Sequence, residues 1–564
     1  MSQLVLRASS AVLVFILLIG CPAEKPAEPK PDVAGTAPYL IISPTPPKDL
    51  PSRSASLEDV AKFAWQEFLA LNWKASIDST NPPSASNPRG KPDPNWNYSM
   101  PAPQSPNPLT WQTYAQTTEL RPNGPLVTPW DNLGIPVYSY YNPPVQGNGV
   151  NNLWNNLDED NEIGSCDIYG NYNAQPSPKQ LVLFQVRVNK DEYEYLRTSY
   201  GPDQNCGPAG TGMTYPNCTS STGGLLAQAQ AAVIKNITQP GYLYYPGQTT
   251  TCDCPPGQAI CLPCGNTATG AEGAIEVKSA WRRLLPTEDA SRFFTATSVY
   301  YDLNEAGQLA YYNDTFALVA MHIIHKTTNF PDFIFATFEQ VDVEKSDAEY
   351  IPLSPPFPPV SNPPAAGTEI PPAVPIVRQT GQTNRQEMHP VPAILDQVTE
   401  NVRKQLVALN PSTVWQYYRL TGVQGASIDC PVDLQGAAAT TVNCIQKQNS
   451  TTCTQLNPNY YMANFMVESD PFLNNFSGPG FGNKGNAIFP GDCQNTVYQA
   501  QIFNNGGCKG CHGVAQTAFG TDFSFLLDFG NNKPSIVPAT VHYYPPANAA
   551  DLASLKKYMH GMKN

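Results

Sequence analysis

Charge is scarce in this 564-residue sequence: Asp, Glu, Lys and Arg together make up 14% of it, against the usual quarter or so. What charge there is leans one way, to a formal net of -13. Nucleic acid and anionic lipid headgroups are therefore repelled, and neither is expected as a partner. Long apolar runs are also missing. The one near the start, Ala11 to Gly20, falls short of the roughly 20 residues that a membrane-spanning helix needs. Histidine occurs six times, and the sequence contains no nucleophile constellation, paired-carboxylate signature, dinucleotide loop or dependable metal set. Nothing in it selects a hydrolytic or nucleotide-dependent chemistry.

What the chain does have begins at its N-terminus. A head carrying Arg7 leads into the apolar run, which stops at Cys21. This is the pattern of an export signal, residues 1–20. Its ending, Leu18-Ile19-Gly20-Cys21, resembles the lipobox of bacterial lipoproteins, in which the cysteine becomes lipid-bearing after cleavage. An ordinary signal peptide with an incidental cysteine is the alternative. The resemblance, with Pro22 and not Asp after Cys21, implies a periplasmic or cell-surface protein held at the outer membrane by acyl chains.

Cysteine is plentiful, with 14 residues. Cys508-Lys509-Gly510-Cys511-His512 is a CxxCH, two thiols followed at once by an imidazole, which is what covalent attachment of a c-type haem requires. Cys508 and Cys511 would form the thioethers and His512 would bind the iron. The competing reading is a Cys508–Cys511 disulfide beside a chance histidine. There is one such motif, so one haem c per chain is expected. Setting aside Cys21, Cys508 and Cys511 leaves an odd eleven cysteines. The group "CDCPPGQAICLPC" places four at 252, 254, 261 and 264, and disulfides, a metal site and a redox-active Cys261-x-x-Cys264 are all open for it.

The rest of the chain reads as α+β: a β-rich central body with long loops, followed by a small, mostly helical haem domain. After a proline-rich tether over 21–50, a body over 51–350 opens with a helix whose apolar residues Leu57, Val60, Ala61, Ala64, Trp65, Phe68 and Leu71 make one stripe behind a capping-box-like start at Ser56. Residues 80–175 read as long loops laid over the body. Strands are expected at 180–188, 274–284, around 293–302, at 316–327 and at 332–343. Ten prolines between 352 and 375 mark a connector over 351–377. A mixed segment follows over 378–489, with a helix at 393–409 and a disulfide-bounded insertion, and the haem domain occupies 490–564.

Residues 490–564 resemble a reduced class I cytochrome c domain, with "CQNTVYQAQIFNNGGCKGCH" as a helix ending at the cysteines and "DLASLKKYMH" as the closing helix. The longer chain is similar to a group of large exported bacterial cytochrome c family proteins through "EVKSAWRRL", "HIIHKTTNFPDFIFATFEQVD" and "CKGCHGVAQTAFGTDFSFLLDF". That similarity implies a monohaem protein and no particular reaction. Phe519, Phe523 and Phe525, with Leu526, Leu527 and Phe529, would line the macrocycle. Class I cytochromes use a methionine as sixth ligand, yet none lies between His512 and Met559. His542 leads as the distal ligand, followed by Met559, Met562 and His560, or an open position.

His322 and His325 stand three apart on a strand and so face opposite sides. His322 shares a face with Leu318, Ala320 and Ile324 and reads as a buried core histidine or one near the haem, His389 is unassigned, and Glu276, Lys278, Arg282 and Lys326 read as a salt-bridge network on neighbouring strands or a clamp for a haem propionate or a substrate. Three readings follow: an electron-transfer protein whose partner is a redox protein or a small-molecule electron donor or acceptor, a haem-dependent oxidoreductase whose body forms a substrate pocket, and a structural or binding lipoprotein with an accessory haem.

Overall fold

The computed structural model describes residues 38–78, 80–120, 126–136, 154–157, 166–170, 180–200, 252, 261–284, 288–303, 309–331, 333–343, 348–352, 374–375, 391, 393–425, 496–498, 501–503 and 522. The compact unit begins at Tyr39. Its helices are α1 (Leu57–Leu71), the single-turn α2 (Thr117–Leu120), α3 (Lys190–Tyr200) and α4 (Ala393–Leu409). Its strands are β1 (Ala115–Gln116), β2 (Asn156–Leu157), β3 (Cys166–Gly170), β4 (Gln180–Leu181), β5 (Leu183–Val188), β6 (Ile275–Arg283), β7 (Thr295–Leu303), β8 (Leu309–His325), β9 (Ile334–Gln340), β10 (Ala348–Pro352), β11 (Val374–Pro375), β12 (Tyr418–Gln424), β13 (Thr496–Tyr498) and β14 (Gln501–Phe503). Among the described residues no helix is long and apolar enough to cross a membrane.

Eight strands form one curled, half-barrel sheet in the order β1-β5-β6-β8-β7-β2, with β9 also on β8 and β12 on β9. The long strand β8 is its rail. Phe316 pairs with Arg283 of β6 on one edge and Ala296 of β7 on the other. Further along, Ala320 to His325 pair with β6 on the first edge and with β9 on the second. One edge of β8 therefore serves β7 along its first half and β9 along its second. At the fork the Tyr418 hydroxyl accepts from the Phe294 N–H at 3.1 Å and donates to the Leu318 carbonyl at 2.9 Å. The phenol stands in for a ladder bond that the diverging strands cannot make.

Helix α1 covers one face of this sheet. The Ser56 side chain accepts from the Asp59 N–H while Asp59 accepts from the Ser56 N–H, which makes the start a reciprocal cap. The expected stripe is buried from Val60 to Leu71, with Leu57 at its start exposed, and Phe68 stacks on Phe338 of β9 at 4.2 Å between ring centroids. Helix α4 packs on α1 and carries Leu395, Val398, Val402 and Leu406 inward. Strand β12, which follows α4, pairs with β9. The chain on both sides of the proline-rich stretch thus builds the same sheet. Leu40 and Leu50 are also buried on this body, and the Leu40 N–H donates to Gln405.

Three expectations change. The stretch 80–175 reads as long loops laid over the body, but its described part supplies Trp96, Tyr98, Trp111, Tyr114 and Trp130 to the core. Aromatic side chains at irregular spacing bury area without leaving a periodic trace. The run 180–188 is not one strand: β4 pairs with β3 in a separate four-stranded sheet, while β5 joins the main one. Finally, the helix expected ahead of Cys508 is absent from the described part of that segment, where β13 and β14 form an antiparallel hairpin, Thr496 opposite Phe503. Thr496, Val497, Tyr498, Ile502 and Phe503 are β-branched or aromatic and suit a pleated surface.

Candidate functional site

The register between β6 and β8 sorts the charged residues onto two faces. Ile275 pairs with His325 and Lys278 with His322, and since directly paired residues share a face, His322 and His325 point to opposite sides, as their spacing predicts. On the α1 side, His325 Nδ1 lies 2.7 Å from Glu67 Oε1, with both side chains buried. Nε2 donates to the Glu272 carbonyl at 2.8 Å. Burial alone would drive the ring below its ordinary 6.5, but the Glu67 carboxylate outweighs it and holds His325 above that value. The result is an imidazolium clamp between α1 and the end of β8.

The other face carries Glu276, Lys278, His322 and, one residue past the strand, Lys326. Glu192, in the first turn of α3, joins them: Asn189 caps that turn by accepting from the Glu192 N–H and ties it to the sheet by accepting from the Ile275 N–H. Glu192 is fully buried, and its carboxyl is within hydrogen-bond reach of that of Glu276. Burial first, and then the adjacent Glu276 carboxyl, push Glu192 well above the ordinary 4.5. Two carboxyls can stay in contact there when they share a proton.

A residue from the far end of the chain completes the group. Asp522 is 2% exposed, and its Oδ2 accepts from Lys326 Nζ at 2.6 Å and from the Leu262 N–H at 2.6 Å. Leu262 sits on a loop whose shape is fixed by several bonds to the end of β8. Cys252 and Cys264 form a disulfide, Cys261 is also disulfide-bonded, and the Gly265 N–H donates to the Lys326 carbonyl at 3.1 Å. Gly273 closes this loop at φ +93°, where a Cβ would collide with that same carbonyl. Only glycine fits so close an approach.

The four-thiol group is therefore bridged in a way that crosses Cys261-x-x-Cys264, which removes the redox-active CxxC reading. Among the described residues no cluster of three or more His, Cys, Asp or Glu is arranged for a metal. Of the residues expected to cooperate, Arg282 is instead paired with Glu288 at 2.6 Å, both fully buried, whereas Glu276 and Lys326 do meet around Glu192.

The residues singled out for haem chemistry, Cys508, Cys511, His512, Phe519, Phe523, Phe525, His542, Met559 and Met562, lie outside the described residues, as do Cys21 and His389. Asp522, ten residues beyond His512, is described. Its role was missed in the sequence, as was that of Glu67, whose signal is a carboxylate set inside the apolar stripe between Ala64 and Leu71. No family model, curated protein or solved structure matches this chain.

Proposed function

We propose that this protein is an exported c-type cytochrome, tethered to the outer membrane through Cys21, that carries one haem and passes single electrons to or from a redox partner in the periplasm or at the cell surface. The observation that carries the reading is the sequence Cys508-Lys509-Gly510-Cys511-His512 in a chain whose Cys252 and Cys261 to Cys264 region is disulfide-bridged. Disulfides mark the oxidising compartments to which export delivers a chain, and the donor set of two thiols and one imidazole fits a covalent haem. When bound, the haem supplies one-electron redox chemistry. Cys508 and Cys511 would hold it, His512 and His542 would bind the iron, with Met559 and Met562 as the alternatives to His542, and Phe519, Phe523 and Phe525 would exclude water. The haem domain of this reading is residues 490–564, a span that includes the β13–β14 hairpin.

The oxidoreductase alternative draws on one observation, the buried Glu192–Glu276 pair beside Lys326, since paired groups of perturbed acidity are the usual furniture of catalytic sites. The test is made on purified holoprotein. One haem that resists acid-acetone extraction is expected, with a pyridine haemochrome spectrum lost in Cys508→Ser. Haem that extracts freely, or a spectrum unchanged by Cys508→Ser, overturns the reading. A six-coordinate, low-spin iron that turns high-spin and binds carbon monoxide in His542→Ala supports the carrier. A parent protein already high-spin and reactive with carbon monoxide favours the oxidoreductase.

A further inference from the structure

The polar face of β6 and β8 sits in the interior, with Glu276 6%, Lys278 9% and Lys326 3% exposed, and most of its charges are answered within the sheet. Arg282 is neutralised by Glu288. Glu339 of β9 stands opposite Arg419 of β12, which also reaches Asp396 at 2.9 Å. Lys278 lies over the Phe184 ring at 4.8 Å. Burying the Lys326 ammonium without an opposite charge beside it is costly. Asp522 supplies that charge at the right place, and its second bond, from the Leu262 N–H, fixes its position against the disulfide-stapled loop.

We propose that this face is the docking surface for the chain's own CxxCH-bearing segment, and that Asp522 is the bolt that fastens it. The proposal rests on the haem reading only for what the segment carries; the docking itself stands on the Asp522 contacts. A chain spans at most about 3.6 Å per residue, so the eleven residues from Cys511 to Asp522 keep the attachment cysteines within roughly 40 Å of Lys326. The body then has a definite task, to hold the haem-bearing segment at a fixed place on the sheet.

Amide hydrogen exchange on the intact, haem-loaded chain tests this. In Lys326→Met, peptides covering 505–525 are expected to exchange faster than in the parent by about two orders of magnitude. Peptides from β9, on the far side of β8, should keep their protection. Asp522→Asn is the second variant, because the change lies on the segment and leaves the body intact. It should also speed exchange over 505–525, and the two changes together should do little more than either alone. Unchanged exchange over 505–525 in Asp522→Asn overturns the proposal, as does additivity of the two changes. The docking can hold if the haem reading fails, since exchange over 505–525 would still respond in protein that extracts as haem-free.

Discussion

Replacing Glu67 with glutamine is expected to lower the stability of the folded chain by about 3 kcal/mol below pH 6.5 and by much less at alkaline pH. The magnitude follows from what remains. A buried imidazolium that loses its carboxylate has the Glu272 carbonyl as its other contact, and an unpaired charge in the interior is among the most costly defects a fold can carry. The ring limits the loss by releasing its proton. The pH dependence follows from the direction of the shift. His325 is held above its ordinary 6.5, so the clamp's contribution is fully present below 6.5 and is lost as pH rises through the folded value. Glu192, raised by burial and by Glu276, also weakens the fold as pH rises above 4.5, so the parent's own pH curve does not isolate the clamp. The difference between parent and Glu67→Gln does. Urea unfolding at pH 6 and pH 9 measures it, and a deficit equal at both pH values would refute the clamp.

Tyr418→Phe should cost about 2–5 kcal/mol, although it removes one oxygen atom and almost no volume. The hydroxyl both accepts from Phe294 and donates to Leu318 where β7 and β9 part company along β8. Its loss strands a buried N–H and a buried carbonyl together, at about 1–3 kcal/mol each. Phe cannot replace either bond, and the surrounding packing leaves Tyr418 1% exposed. The expected signature is local as well as global: the Phe294 amide should exchange faster than its neighbours in the variant. A loss under about 0.5 kcal/mol would mean that the fork is satisfied in some other way.

Much of the body is legible in the sequence because it is periodic. The stripe from Leu57 to Leu71 and the alternation through "EVKSAWRRL" give α1 and β6 almost to the residue, and the opposite facing of His322 and His325 follows from their spacing alone. What escapes has no period. Trp96, Trp111 and Trp130 enter the core from turns and short helices, with nothing in their spacing to mark it. The split of "QLVLFQVRV" into β4 and β5 is a tertiary choice between two sheets that the same apolar run could serve. The proposed haem attachment rests on chemistry alone, since CxxCH needs no fold to be recognised. The Lys326–Asp522 contact could not have been read, because it joins residues 196 apart in sequence and nothing in the stretches that hold them pairs one with the other.

His325 and Lys326 are consecutive, yet one clasps Glu67 and the other Asp522. The first contact closes a loop of 258 residues (325 less 67) and the second one of 196. Closure entropy grows only with the logarithm of length, so the two cost nearly the same and neither is favoured by topology. Order of arrival separates them. In a chain delivered N-terminus first, α1 is waiting when strand β8 emerges, and the sheet can close on it at once. Lys326 waits for nearly two hundred residues more, and the thiols of Cys508 and Cys511 pass before Asp522 does. The body is thus finished first, and Asp522 is fastened to it last.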